Sequence, residues 1–125
     1  MQGYVGNLEE LTAKNNHFRH VLFTGTHTQL VLMSLLPGED IGVETHNQVD
    51  QFFRVEAGTI EIMMMGEKHT LVTGMAAIVP AGTEHNLTNI GSTVAKLYTL
   101  YSPPNHPANT VHATKAEAMA AEQHH

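Results

Sequence analysis

The chain has 125 residues, six Lys and Arg against twelve Asp and Glu for a net charge of −6, and 42% hydrophobic against 14% charged residues. That is the composition of one globular domain able to bury its own core, and its acidic balance argues against nucleic acid or an anionic membrane surface as a partner. The absence of cysteine excludes disulfides, thiolate nucleophiles, thiolate zinc sites and iron–sulfur clusters.

The N-terminal stretch MQGYVGNLEEL lacks the basic start and apolar core of a signal peptide. Asn7 followed by Glu10 fits a capping box and predicts a short N-terminal helix. Glycines at 38, 42, 58, 66, 74, 82 and 91 then separate short runs rich in Val, Ile, Leu, Thr and aromatic residues. Short strands so punctuated predict an antiparallel sandwich or barrel, with strands near 17–24, 28–36, 41–46, 50–56, 59–65, 69–72, 76–79, 84–90 and 94–101. Pro37-Gly38, Met65-Gly66, Thr73-Gly74 and Ala81-Gly82 mark turns between them. The longest apolar run, Leu30 to Leu36, is far too short to span a bilayer, so a soluble cytoplasmic protein is expected. That run and the strand FRHVLF are expected to leave apolar edges and faces exposed, which points to a homodimer. After Tyr101, SPPNHPANTVHA contains three prolines that cannot donate to a ladder, so an arm is predicted there and not a central strand. Thr114 followed by Glu117 opens a second predicted helix, TKAEAMAAEQ, whose alanines favour it.

Ten histidines are many for a chain this size, even if His124 and His125 are set aside as a tag remnant. In an extended segment, Glu44 and His46 share a face, roughly 6.6 Å apart along the chain. Gln51 returns to that face if a turn at Asn47–Gln48 folds the chain back, and Phe53 and Val55 make its side otherwise apolar. A carboxylate, an imidazole and an amide inside an apolar barrel are costly unless something pairs them, and a divalent metal would. His85 follows the rigid turn Pro80-Ala81-Gly82, and in a strand shares its face with Leu87 and Asn89, a second place for a fourth ligand.

These two segments resemble the paired motifs of the cupin superfamily. The second runs Gly74, five residues, Pro80-Ala81-Gly82, two residues, His85, three residues, Asn89. The first runs Gly38, five residues, Glu44, one residue, His46, four residues, Gln51, six residues, Gly58. It departs from the usual pattern in having Glu at 44 in place of His and Gln at 51 in place of Glu, which keeps one carboxylate in the set. The resemblance implies an all-β fold: a single-domain double-stranded β-helix, or jelly roll, over 1–125. In it, barrel motifs at 38–58 and 74–89 precede a C-terminal arm and helix over 102–123. It also implies homodimers and one divalent metal (Zn, Mn, Ni or Fe) held by Glu44, His46, Gln51 and His85. The runs VDQFFRVEAG, VPAGTEHN and LYTLYSPPNHPANTVHATKAEA are similar to small bacterial cupins labelled mannose-6-phosphate isomerase-like.

Other residues have blander readings. Met63, Met64 and Met65 alternate faces and read as core filling, not soft ligands. Asp50 should face away from Gln51; Arg54 should pair with an outer carboxylate; His17, His20, His27 and His69 should be surface residues. Tyr98 and Tyr101 point to opposite sides, so at most one lines a pocket. His106 and His112, on the arm, are either solvent-exposed or folded over the barrel, where His106 would join Glu44 as an acid–base group or fifth ligand. No Arg or Lys occupies an inward motif position, which disfavours a phosphosugar. The leading expectation is a metal-dependent enzyme using Lewis-acid chemistry on a small hydroxylated or carbonyl compound. A non-catalytic metal or small-ligand binding module and an iron-dependent dioxygenase are the alternatives.

Overall fold

A computed structural model describes residues 2–123, so His124 and His125 lie outside the described residues. Helix α1 (Leu8–Lys14) is followed by β1 (Arg19–Thr24), β2 (Gln29–Leu35), β3 (Asp50–Ala57), β4 (Thr59–Met64), β5 (Glu67–Val72), β6 (Ala76–Val79), β7 (His85–Asn89), β8 (Ala95–Ser102), β9 (Val111–His112) and α2 (Lys115–Gln123). All pairing is antiparallel. A six-stranded sheet has the order β6-β3-β8-β2-β1-β9 and a three-stranded sheet the order β5-β4-β7. Their inner faces enclose Val31, Met33, Phe53, Val55, Ile60, Ile62, Leu87 and Leu97, every one nearly or fully buried. This is an all-β antiparallel architecture, as the glycine-punctuated strands predicted, in the jelly-roll form that the cupin resemblance implied and with the two short helices that the capping boxes predicted.

Local chemistry explains the elements. Asn7 caps α1 by accepting from Glu10 N–H at 3.1 Å, and Thr114 caps α2 by accepting from Glu117 N–H at 3.2 Å. Glu117 reaches back, but to Ala113 N–H at 2.8 Å, one residue before the expected cap. The β4–β5 hairpin turns on Met65 (φ 50) and Gly66 (φ 82), two left-handed residues in succession that match the strand twist. Met64 packs on the core as expected, but Met65 sits exposed in that turn, so the core-filling reading fails for it.

Three expectations change. The predicted strand over 41–46 is reduced to two isolated bridges, Asp40 to Thr88 and Glu44 to His85, because Gly42 at φ +90 breaks the extended pleat. The arm contains a strand the sequence did not reveal: β9 pairs with β1 through Arg19–His112 and His20–Val111. Of the run Leu30–Leu36 only Leu36 is exposed, since every residue of β2 is buried within its own chain. Inner side chains join the core. On the outer face, Lys96 Nζ beside Ser34 is held by the backbone of Asn15 and by Asn16, which fixes the end of α1 over that face.

Candidate metal centre

Residues 38–46 run alongside β7 as a ragged extra strand. Gly38 N–H donates to Asn89 O at 2.9 Å, Ile41 N–H to Leu87 O at 3.0 Å, and Glu44 and His85 exchange both backbone bonds at 2.9 Å. Glu44 is therefore the direct neighbour of His85. Gly82 N–H donates to His46 O at 2.9 Å, tying His46 to the Pro80-Ala81-Gly82 turn. That turn is held in place by Asp50, which faces away from the interior as expected and accepts from Ala81 N–H at 2.8 Å.

The outcome is one cluster. Glu44, His46 and His85 each offer a ligand atom, and these atoms lie within 4.8 Å of one another. Glu44 Oε2 is 2.9 Å from His46 Nε2, and the two imidazole centroids are 5.7 Å apart. His85 Nδ1 is 2.9 Å from Thr83 O; facing a carbonyl, that nitrogen carries the proton, which leaves Nε2 with a bare lone pair. His85 Nε2 is buried and has no hydrogen-bond partner among the described residues. Gln51 is 2% exposed on the inner face of β3. It donates from Nε2 to Thr99 Oγ1 at 3.0 Å, and its Oε1 is likewise buried without a partner. It lies between Phe53, whose ring packs 6.1 Å from His85, and its cross-strand neighbour Tyr101, whose ring meets His46 edge-on at 5.9 Å. Two orphaned acceptors, a second imidazole and a carboxylate form a donor set that fits a divalent cation, because each orphan otherwise costs about 1–3 kcal/mol.

Asn89 is not part of this set. Its amide nitrogen donates to Leu35 O and Thr93 O at 2.9 Å each, and its oxygen accepts from Gly91 N–H at 2.9 Å, so the side chain is consumed in bracketing the β7–β8 turn. Arg54 pairs with Glu56 at 3.0 Å on the outside. Tyr98 packs on Phe52 at 6.2 Å while Tyr101 faces inward. His17, His27 and His69 are exposed as expected, whereas His20 is half-buried and meets His17, which precedes the strand, edge to face at 5.6 Å.

The arm does fold over the barrel. His106 Nε2 is 3.2 Å from the Tyr101 hydroxyl, and the rings stack edge-on at 5.0 Å. Burial, reinforced by the nearby Glu44 carboxylate, pushes the Tyr101 phenol well above its ordinary range, so it stays neutral. His106 thus reaches the cluster through Tyr101 and is not among the three residues whose ligand atoms converge. His112 instead faces Arg19, with Nδ1 3.3 Å from the guanidinium. Arg19 itself is inward-facing, its side chain 3% exposed, and lies 3.7 Å from Glu122 of α2. The motifs alone hid this buried cation, because it lies on β1, outside both of them. Gln29 and Thr99 were equally unmarked: each is an ordinary polar residue in an alternating strand until its partners across the sheet are known, whereas Tyr101 is the one of the two tyrosines that faces inward.

Comparison with known proteins agrees with this fold. The family model for the cupin domain (Cupin_2) matches residues 31–101. The chain is 50% identical to protein YrkC of Bacillus subtilis (strain 168) over 95% of its own length and 67% of that protein's. It is 44% identical to protein L612 of Acanthamoeba polyphaga mimivirus over 94% and 76% of the two lengths. The crystal structure of BH2720 from Bacillus halodurans superimposes with a TM-score of 0.93 at 45% identity, covering 95% of both chains. With the two motifs, the two-sheet barrel and the converging Glu44, His46 and His85 in place, the chain belongs to the cupin domain family.

Proposed function

We propose that the protein binds one divalent metal through Glu44, His46 and His85, with Gln51 as the fourth and weakest ligand, and that it is a cytoplasmic enzyme. The proposed reaction is an isomerase- or lyase-type conversion of a small hydroxylated or carbonyl compound. The observation that carries this reading is the buried, unpartnered Nε2 of His85 beside the Glu44–His46 pair. Bound there, the metal would supply Lewis-acid polarisation of a substrate oxygen. Two imidazoles, one carboxylate and an amide suit Zn, Mn, Ni or Fe. A neutral amide at position 51 donates less charge than a second carboxylate would, which favours polarisation over redox chemistry.

The chain's own groups supply the rest. Glu44 has two carboxylate oxygens, of which one can remain on the cluster while the other accepts a proton. His106 takes a narrower role than a group on the reacting atoms: it holds the Tyr101 hydroxyl, 3.2 Å away, in a fixed orientation beside His46. The apolar walls of Phe53 and Leu87 exclude water from the cluster's inner side. The mannose-6-phosphate isomerase-like resemblance places sugars on the substrate panel without singling one out.

Elemental analysis of the purified protein tests the metal. His46→Ala or His85→Ala should abolish stoichiometric metal, whereas Gln51→Ala should only weaken it, and full metal in both histidine variants sinks the proposal. Protons compete for the imidazole lone pairs, so affinity should fall as pH falls. Turnover of sugars and diketones by zinc-loaded and iron-loaded protein, with oxygen uptake recorded, tests the reaction. Iron-dependent oxygen consumption with an inert zinc form would instead establish a dioxygenase.

A further inference from the structure

We infer that Gln29 is a positioning residue for the site, acting through the C-terminal arm; the inference rests on the Glu44–His46–His85 cluster being that site. Gln29 is fully buried on the inner face of β2, in one cross-sheet row with Thr24, Tyr101 and Gln51. Its amide nitrogen donates to Thr24 Oγ1 at 2.9 Å and to His106 O at 2.8 Å. Its oxygen accepts from Asn105 N–H at 3.1 Å and His106 N–H at 3.0 Å. That uses both donors and both acceptor sites of one side chain. Three of the four bonds go to arm backbone about 76 residues further along the chain, where Pro103, Pro104 and Pro107 interrupt any ladder.

None of residues 102–110 is buried, so the stretch is seated mainly by polar contacts: the Gln29 clamp in its middle, with Thr28–Ser102 at 3.2 Å and Val21 N–H to Thr110 O at 2.8 Å at its ends. The consequence is transmitted in three contacts. Gln29 fixes the backbone of His106, the His106 ring stacks on Tyr101 at 87°, and the Tyr101 ring meets His46 at 79°. No other side chain serves here: glutamate cannot donate to His106 O, and leucine leaves the arm's backbone groups unsatisfied.

The test compares the full chain with Gln29→Leu, with the nearly isosteric Gln29→Glu as a second variant should the first fail to fold. Three readouts apply: amide hydrogen exchange at Asn105 and His106, the His46 ring resonances in metal-free protein, and the rate at which bound Co²⁺ is lost to a chelator. Gln29→Leu should speed exchange at both amides by about tenfold or more, shift the His46 resonances and accelerate cobalt loss. His106→Ala should shift the same resonances with the clamp intact, and the double variant should shift them no further than either single change. Unchanged amide protection in Gln29→Leu, or faster exchange with His46 unmoved, overturns the inference. Gln29→Glu keeps both acceptor sites and, of the arm contacts, loses only the bond to His106 O, so it is read from the His46 resonances and cobalt loss. No change in either overturns the inference as well. Failure of the wild type to take up cobalt would sink the metal reading alone, since the His46 resonances still decide the role of Gln29.

Discussion

At the scale of single residues, what sets His85 apart among the histidines is the state of its second nitrogen. His85 has one nitrogen engaged by Thr83 O and the other bare and buried. His17 and His20 instead meet each other edge to face beside the surface. Burial, and then the neighbouring His17, lower the His20 pKa below its usual 6.5. The unfolded chain therefore takes up this proton first as pH falls, so folded stability declines through about 6.5 and the loss levels off only below the folded pKa. His20→Gln should flatten that decline, measured as urea midpoints between pH 7.5 and 5 in metal-free protein (values bracketing the ordinary histidine range of about 6.5); an unchanged slope would refute the assignment. Glu44, His46 and His85 were readable in the sequence because motif spacing and strand alternation are local properties. Gln29, Arg19 and Thr99 were not, since their partners are His106, His112, Glu122 and Gln51, on other strands or on the C-terminal segment.

Elements set these residues by the way they begin and end. The Pro80-Ala81-Gly82 turn positions His85 through Thr83 O, holds His46 through Gly82 N–H, and is itself capped by Asp50. The strand predicted over 41–46 fails at Gly42, yet the face it would have presented survives, because the bridge at Glu44 restores the register beside His85. Periodicity thus located the side chains while overstating the regularity of the backbone that carries them. Gly58 does comparable work between β3 and β4. It has φ +93, and a Cβ there would lie 3.0 Å from the Ala95 backbone. Gly58→Ala should lower stability by about 2 kcal/mol or more from the strained dihedral, with the backbone clash adding to it. Chemical denaturation would show this as a reduced midpoint with an unchanged m-value; a midpoint equal to wild type would mean the turn relaxes freely.

At the scale of the whole molecule, much of the surface first expected to make a dimer is spent inside the monomer. β2 is enclosed on both faces, and β9 takes the outer edge of β1 at Arg19 and His20. β7, the end strand of the small sheet, is covered by residues 38–46. The longest-range consequence is that β6, four residues long, ends the large sheet with its outer edge unpaired among the described residues. Unlike most edge strands it carries no charge, and it stands among exposed apolar groups: Ile78 is 64% exposed, with Met75 and Val72 nearby in sequence at 44% and 47%. An unpaired, uncharged apolar edge is the feature that proteins otherwise blunt. We propose that the homodimer forms here, with β6 of one copy against β6 of another in an isologous antiparallel pair. Sedimentation should then give twice the 13.7 kDa chain mass for wild type. Ile78→Lys, which places a charge beside its own copy across the two-fold axis, should give the single-chain mass without loss of thermal stability in the monomer. A wild type that sediments as a monomer at micromolar concentration, or an Ile78→Lys variant that remains dimeric, would remove β6 as the interface.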